Sequence, residues 1–320
     1  MSDKETYLNF PIKHLPLFHQ PFWLNAVAGE NWDVVIVKKE DEVIATLPYG
    51  FKKSNTGIQL FTPLLPQFLG PYFLIEAATP REKLNRETEI LRSLAEQLPK
   101  FSSAEMRWHF NYQNWLPFYW KKFKQTTRYT YVINNLIDSQ KVYDEFNEKI
   151  RREIKKGEQQ FKVRSENLNL ENFFLLLKKN LEKKNYHLPF NESFIRNLYE
   201  ACIVNDAGKI FVAEDANGKI AAAIFVAWDS TTAYYIIGGK DPEMGNSGAM
   251  SFLFWNAFQQ LRSKVSSFDF EGSMIEGVES YFRSFGAVQH SFFQLSKYNS
   301  SLSFLQHEAK FVFNFLFRKS

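Results

Sequence analysis

Residues 268–274 read FDFEGSM, two carboxylates alternating with two phenylalanines and running into a glycine. Successive side chains of a strand point to opposite faces. An extended segment therefore puts Asp269 and Glu271 on one face and Phe268 and Phe270 on the other. Two acids aimed the same way can bind an attacking amine or take its proton, provided burial lifts a pKa, and their mutual repulsion would raise one of the two. An ion pair with Arg262 or Arg283 and plain solvation are the competing roles. Other reactive groups offer less. His14, His19, His109, His187, His290 and His307 are dispersed without ligand spacing, so no metal site is expected. No Ser–His–Asp arrangement or nucleophile elbow occurs. The single cysteine, Cys202, lies in the apolar helical run LYEACIV and reads as core, which excludes an internal disulfide and a cysteine-based zinc site.

The elements that must position these residues come in two similar series. In residues 18–73 a helical stretch, FHQPFWLNAVAGE, precedes WDVVIVKK, VIATLPYGFKK and IQLFTPLLPQFLGPYF, joined by the turns EDE and SNTG. In residues 192–241 a helical ESFIRNLYEACIVN precedes KIFVAE, KIAAAIFVAWD and TAYYIIGGK, joined by DANG and DST. Downstream, helix 81–98 corresponds to helix 248–265 and strand 103–110 to strand 266–272. Segments 118–133 and 281–295 each read as a short helix and a strand. Between the series, Asp138 is placed to cap one helix through SQKVYDEFNEKIRREIKKGEQQ, followed by a strand, FKVRSE, and a helix, LENFFLLLKKNLEKK. The expected division is an N-terminal domain over 1–136, a connecting helix and strand over 137–166, and a C-terminal domain over 167–320.

A chain of 320 residues with 45% hydrophobic and 17% aromatic residues has ample core for two ordinary domains. A net charge of +4 suits an anionic ligand and is too small to argue nucleic-acid binding by itself. The start MSDKETYLNF lacks signal-peptide features and no run of about 20 apolar residues occurs, so a soluble, cytoplasmic protein without a membrane span is expected.

A three-strand meander followed by helix, strand, helix and strand, given twice, resembles the tandem-GNAT, FemAB-like N-acyltransferases. The resemblance is carried by PLLPQFLGPYF (63–73), RYTYVINNL (128–136), IRREIKKGEQ (150–159), YYIIGGKDPEMGNSGAMSFLFW (234–255) and FDFEGSMIEGVESYFRSFGA (268–287), and covers most of the chain in the family's order. It implies an α/β (α+β) fold of two GNAT-like domains, each a mixed, mostly antiparallel sheet flanked by helices. The matched strand of the first half, AEMRWHF, carries Arg107 and His109 at alternate positions in place of the acids, so the first domain reads as a degenerate copy and the second as the donor site. Residues 166–206 offer only two short helices and no heptad repeat, like the shorter relatives that lack a coiled-coil arm.

What the resemblance implies for chemistry is acyl or aminoacyl transfer to the amine of a small molecule or peptide, held in a cleft between the halves. The donor would be an acyl-CoA, acetyl-CoA included, or aminoacyl-tRNA, and cell-wall or surface-component synthesis is an implied setting. The family's phosphate loop, Q/R-x-x-G-x-G/A, is matched in part by PEMGNSGAM (242–250). Gly245 and Gly248 would let backbone approach the phosphates, Asn246, Ser247 and Ala249 line them, and Lys240 stand beside them. Gly248 and Ala249 are adjacent without the spacer, no Arg or Gln opens the loop, and the segment also reads as an ordinary capped helix entry.

The family's acid, a tyrosine in Y-x-x-x-G-F, has no direct counterpart. Phe282 stands four before Gly286, and Tyr281, one position off and about 100° around a helix, is the displaced candidate for that catalytic role beside Asp269 and Glu271. A backbone N–H of strand 234–239 would meet the oxyanion, and Tyr234, Tyr235, Ser273 and Arg283 would contact the acceptor; both tyrosines also read as core. The basic stretch 149–164, KIRREIKKGEQQFKVR, reads either as a solvated helix or as a surface for the donor's phosphates or tRNA. Two rival functions stand beside the enzyme: a catalytically silent tandem-GNAT scaffold, and an RNA-binding module with steep salt dependence.

Overall fold

The computed structural model describes residues 2–9, 15–55, 57–165, 170–183, 185–301 and 304–305, which leaves His14 and His307 outside it. Through the first half run α1 (Asp3–Leu8), α2 (Pro21–Ala28), β1 (Trp32–Lys39), β2 (Glu42–Ser54), β3 (Gly57–Phe61), β4 (Tyr72–Phe73), α3 (Pro80–Gln97), β5 (Ser103–Arg107), α4 (Leu116–Trp120) and β6 (Lys124–Ile133). There follow α5 (Ser139–Glu145), α6 (Glu148–Gln160), β7 (Lys162–Arg164), α7 (Leu170–Glu182) and α8 (Glu192–Val204). The last series is β8 (Gly208–Glu214), β9 (Ile220–Trp228), β10 (Thr232–Lys240), α9 (Ala249–Leu261), β11 (Ser267–Asp269), α10 (Glu276–Arg283) and β12 (Val288–Tyr298). Among the described residues no helix is long and apolar enough to cross a membrane, and no group of three or more His, Cys, Asp or Glu is placed to hold a metal.

The chain forms two units, and neither is continuous in sequence. The first takes the described residues of 1–13, 28–128 and 291–320. Its sheet runs β1-β2-β3-β5-β12, with β4 beside β2. The β1–β2–β3 meander is antiparallel, β3 and β5 are parallel, and Gln294–Tyr298 of β12 pairs antiparallel with β5. Ile90, Leu91 and Leu94 bury one face of α3 against this sheet, in a core with Leu47, Met106, Trp108 and Leu295. Such burial of an amphipathic face supplies most of a helix's stability in a protein.

The second unit takes the described residues of 14–27 and 129–290. Its sheet runs β6-β11-β10-β9-β8-β7, with only the β10–β11 pair parallel. β9, IAAAIFVAW, is almost wholly buried, and its small residues admit helix packing on the faces of the sheet. The fold class is the expected one, mixed α/β with largely antiparallel sheets.

Two local expectations are corrected. Asp138 does cap a helix, its Oδ1 accepting from Lys141 N–H at 3.1 Å, but that helix is α5 and stops at Phe146, where ψ is 139°. A second helix, α6, begins under its own cap, Asn147 Oδ1 accepting from Ile150 N–H at 2.9 Å. Phe146 makes the break: its buried ring sits 5.6 Å from those of Tyr143 and Trp255 and 5.3 Å from that of Phe285. Strand FDFEGSM also ends early, at Asp269. Glu271 and Gly272 both take φ of 60°, a left-handed turn that no strand contains, so Asp269 and Glu271 are not alternate residues of one strand face.

Candidate functional site

β10 is where two neighbouring strands part. It pairs with β11 only from Thr232 to Tyr234, the last partners being Tyr234 and Asp269. On its other side Tyr235 faces Val226 and Ile237 faces Phe225, so Ile236 is an extra residue, a bulge. The alternation of a strand sends the two tyrosines to opposite faces. Tyr235 packs on α9 and α10, 5.0 Å from Phe254 and 6.1 Å from Phe282. Tyr234 packs on Phe18 at 4.7 Å and donates its hydroxyl to Asp229 Oδ2 at 3.2 Å. Only Tyr235 therefore lies toward the loop that follows.

That loop begins at a 3-10 turn, Pro242–Met244, capped by Asp241, which accepts from Glu243 N–H at 3.0 Å. Gly245 and Gly248 have φ of 53° and 80°. Two lysines brace the loop: Lys240 Nζ donates to Gly245 O at 2.9 Å and Lys156 Nζ, from α6, to Asn246 O at 2.6 Å. Gly248 forms the N-cap of α9, and a Cβ there would lie 2.1 Å from Glu153 O; one on Gly157 would lie 2.5 Å from Phe252 Cβ. The two glycines let α6 and the start of α9 touch backbone to backbone. Ser247, buried, has its Oγ 3.5 Å from Ala249 N–H. A cleft of about 520 Å³ opens over this N-terminus, walled by Lys149 and Glu153 of α6, Tyr235 and Gly238–Lys240 of β10, the loop 245–251, and Tyr281. N–H groups of a helix's first turn have no partner within the helix, and with the dipole they favour an anion.

At the inner end of the cleft Tyr281 Oη lies 2.9 Å from Ser251 Oγ, and Ser251, buried on α9, donates to Glu153 Oε2 at 2.6 Å. Burial pushes the Tyr281 phenol upward, and the Glu153 charge adds to the rise. The one-residue offset from the family's motif does not carry Tyr281 out of the cleft, because its ring is seated against Phe285 at 5.2 Å and Phe254 at 6.3 Å.

The acids of the FDFEGSM segment sit elsewhere. Asp269, 1% exposed, shares the sheet face of Tyr234 and is not among the walls of this cleft. Its Oδ1 accepts from Thr130 Oγ1 and from Glu271 N–H, the latter at 2.7 Å, while Oδ2 is buried without a hydrogen-bond partner. Burial lifts its pKa to about 7, against the opposing pull of those two hydrogen bonds. Repulsion from Glu271 is not the cause expected of it, since Glu271 meets it through a backbone N–H. Nor is there an ion pair with the two arginines: Arg262 donates to Ser139 Oγ at 2.7 Å and Arg283 pairs with Glu279 at 2.8 Å. Arg283 and Ser273 lie outside the cleft walls, and Ser273 Oγ accepts from Ile275 N–H at 3.0 Å in the turn before α10.

The cleft thus collects Lys240, Gly245, Asn246, Ser247, Gly248, Ala249, Tyr235 and Tyr281, and leaves Asp269, Glu271, Tyr234, Ser273 and Arg283 off its walls. Glu153 and Ser251 were not singled out from sequence as cleft residues, whereas Lys149 belongs to the basic stretch 149–164, one of whose two readings is a surface for the donor's phosphates. The one available signal was the helical spacing of 149, 153 and 156, hidden in a run of mixed charge.

Residues 144–283 match the acetyltransferase (GNAT) domain family model. No functionally curated protein matches the sequence. Among solved structures the chain is similar to FemX, at 11% identity and TM-score 0.65, covering 92% of this chain and 96% of that one. It is similar to the C-terminal domain of a putative lysylphosphatidylglycerol synthetase from Agrobacterium fabrum, at 12% identity and TM-score 0.55, covering 98% of both. It is also similar to a tandem GNAT protein from the clavulanic acid biosynthesis pathway, at 7% identity and TM-score 0.51, covering 84% of this chain and 83% of that one.

Proposed function

We propose that the chain is an acyltransferase of the tandem-GNAT, FemAB-like kind, a reading supported by its GNAT-domain match and its fold, and that it transfers an acyl group from an acyl-CoA to an amine. The observation that carries this is the cleft over α9. A glycine loop with two left-handed residues, a helix N-terminus and the ammonium groups of Lys149 and Lys240 converge there, which suits a pyrophosphate. From the loop the donor would run along β10 toward the point where β10 and β11 part, bringing its carbonyl beside Tyr234 and Asp269.

In this reading the acceptor amine comes to the face of Asp269. A carboxylate with a pKa near 7 and one unpartnered oxygen is suited to take the ammonium proton at neutral pH. The amine's lone pair then adds to the acyl carbon, and the oxyanion is met by a β10 N–H beyond Tyr234. As the oxyanion collapses and the C–S bond breaks, the electron pair leaves on sulfur and Tyr281 Oη, on the donor face, gives it a proton. The added nitrogen loses its remaining extra proton to water to leave the amide, and water returns a proton to Tyr281. Glu271 closes the turn over Asp269, and Asp229 holds the Tyr234 hydroxyl.

Aminoacyl-tRNA is the second donor the observations favour, because Lys149 and Lys156 carry the positive charge of α6 to the cleft and loop. A thermal-shift titration separates the two. Acetyl-CoA or free coenzyme A at about 100 times its Kd should add roughly 2.7 kcal/mol, raising Tm by roughly 2–4 °C per kcal/mol for a chain of this size. A shift with aminoacyl-tRNA and none with any coenzyme A species would move the donor to tRNA. No shift with either would leave the silent scaffold.

A further inference from the structure

Glu153, Ser251 and Tyr281 form a hydrogen-bond chain that the proposed chemistry leaves unexplained. Ser251 has one hydroxyl proton, and it points at Glu153 Oε2, 2.6 Å away. An ionised carboxylate only accepts, so this bond has one possible direction. With its proton committed, Ser251 Oγ can meet Tyr281 at 2.9 Å only as the acceptor. The phenol proton is therefore turned to Ser251, and Tyr281 shows lone pairs to the cleft. A general acid needs the opposite. If Glu153 is protonated or replaced by glutamine, it can donate to Ser251; the serine proton then turns to Tyr281, and the phenol proton is released toward the cleft.

We propose that Glu153 is a positioning residue which, acting through Ser251, sets whether Tyr281 offers the cleft a lone pair or a proton. The geometry suits that task. Ser251 is 1% exposed on the first turn of α9, which the Gly248–Gly157 crossing holds against α6. Glu153 comes from the crossing point itself, its carbonyl being the atom nearest the missing Gly248 Cβ. The charged and titratable groups that share its cleft are Lys149 on its own helix, Lys240 and Tyr235 from β10, and Tyr281 from α10. Lys156, one turn on, is bound to Asn246 O.

This inference rests on Tyr281 standing at the donor's leaving-group end, and its test uses neither donor nor turnover. Position 281 is replaced by 3,5-difluorotyrosine, whose phenol titrates well below that of tyrosine, and its ionisation is followed by fluorine NMR and absorbance. In the E153Q background the serine can donate to the phenolate and the carboxylate charge is gone. The fluorotyrosine pKa should fall by about one unit or more, tenfold in ionisation. S251A should give no such fall, and E153Q added to S251A should lower the pKa by less than E153Q does alone, because only the direct effect of the Glu153 charge is left once the chain is broken. Equal effects of E153Q and S251A, or the same fall on E153Q with and without Ser251, would overturn the relay and leave only the direct charge effect. Coenzyme A binding, measured separately by calorimetry, can succeed or fail without altering that outcome.

Discussion

Asp269 is a buried acid held at a cost. Its folded-state pKa of about 7 lies above the unfolded value of 3.8, so the native state binds the proton more tightly. Below about pH 4 both states are protonated and the residue adds no pH dependence. Between about pH 4 and 7 only the unfolded chain ionises, and stability falls as pH rises, by up to about 1.4 kcal/mol per unit. Above pH 7 the loss is constant. Asp269→Asn keeps an oxygen for Thr130 and Glu271 N–H but buries an amide where Oδ2 had no partner, a cost of about 1–3 kcal/mol. The variant should therefore be less stable than the wild type at pH 4 and more stable at pH 8. Urea denaturation across that range measures the crossing, and curves that stay parallel would show that Asp269 is not raised. If Asp269 is the base, the same variant loses turnover while gaining stability at pH 8.

At the scale of elements, the crossing of α6 over the start of α9 fixes the loop. Gly248→Ala faces two independent penalties, a left-handed φ of 80° and a Cβ 2.1 Å from a backbone oxygen that cannot move without shifting α6. The first costs roughly 1–2 kcal/mol and the second roughly 1–3 kcal/mol. A destabilisation of about 3 kcal/mol is expected by denaturant unfolding, with loss of any coenzyme A-induced thermal shift. Gly245→Ala, with nothing within 4 Å of its added Cβ, should cost only the backbone penalty. The meander strands were legible in sequence because tight turns and alternating burial are local properties. The end of β11 was not, since Phe268 and Phe270 favour a strand while the turn is made by Glu271 and Gly272 against Asp269. The seat of Tyr281 was not legible for the same reason: counting from Gly286 gives a helical phase, but the ring's place is set by Phe254 and Phe285. Glu153 and Ser251, 98 residues apart, become partners only through the glycine crossing.

Over the whole molecule, the two compact units draw on segments from both copies of the sequence repeat. β12, from the end of the chain, completes the first unit's sheet: it pairs with β5 from Gln294 to Tyr298, Phe293 O accepts from Trp108 N–H at 2.8 Å, and Leu295 is fully buried in that unit's core. The second unit in turn takes residues 15–27 from near the start, where Leu17 N–H donates to Asp229 Oδ2 at 3.1 Å and Phe18 covers Tyr234. It also takes Val132 and Ile133 of β6 as the partners of β11. A fragment cut at residue 136 keeps its own meander but loses the strand that covers β5, exposing an unpaired edge and an apolar hole. The complementary fragment, 137–320, loses both β6 and the cover over Asp269. Neither fragment should fold alone, by circular dichroism and proton–nitrogen NMR, although each spans one copy of the repeat. Co-expressed, the two should recover a soluble complex, because no pairing that defines a unit requires the bond between residues 136 and 137. A cooperatively folded 1–136 fragment would instead establish that β12 is an accessory strand and that the linear repeat is the unit of folding.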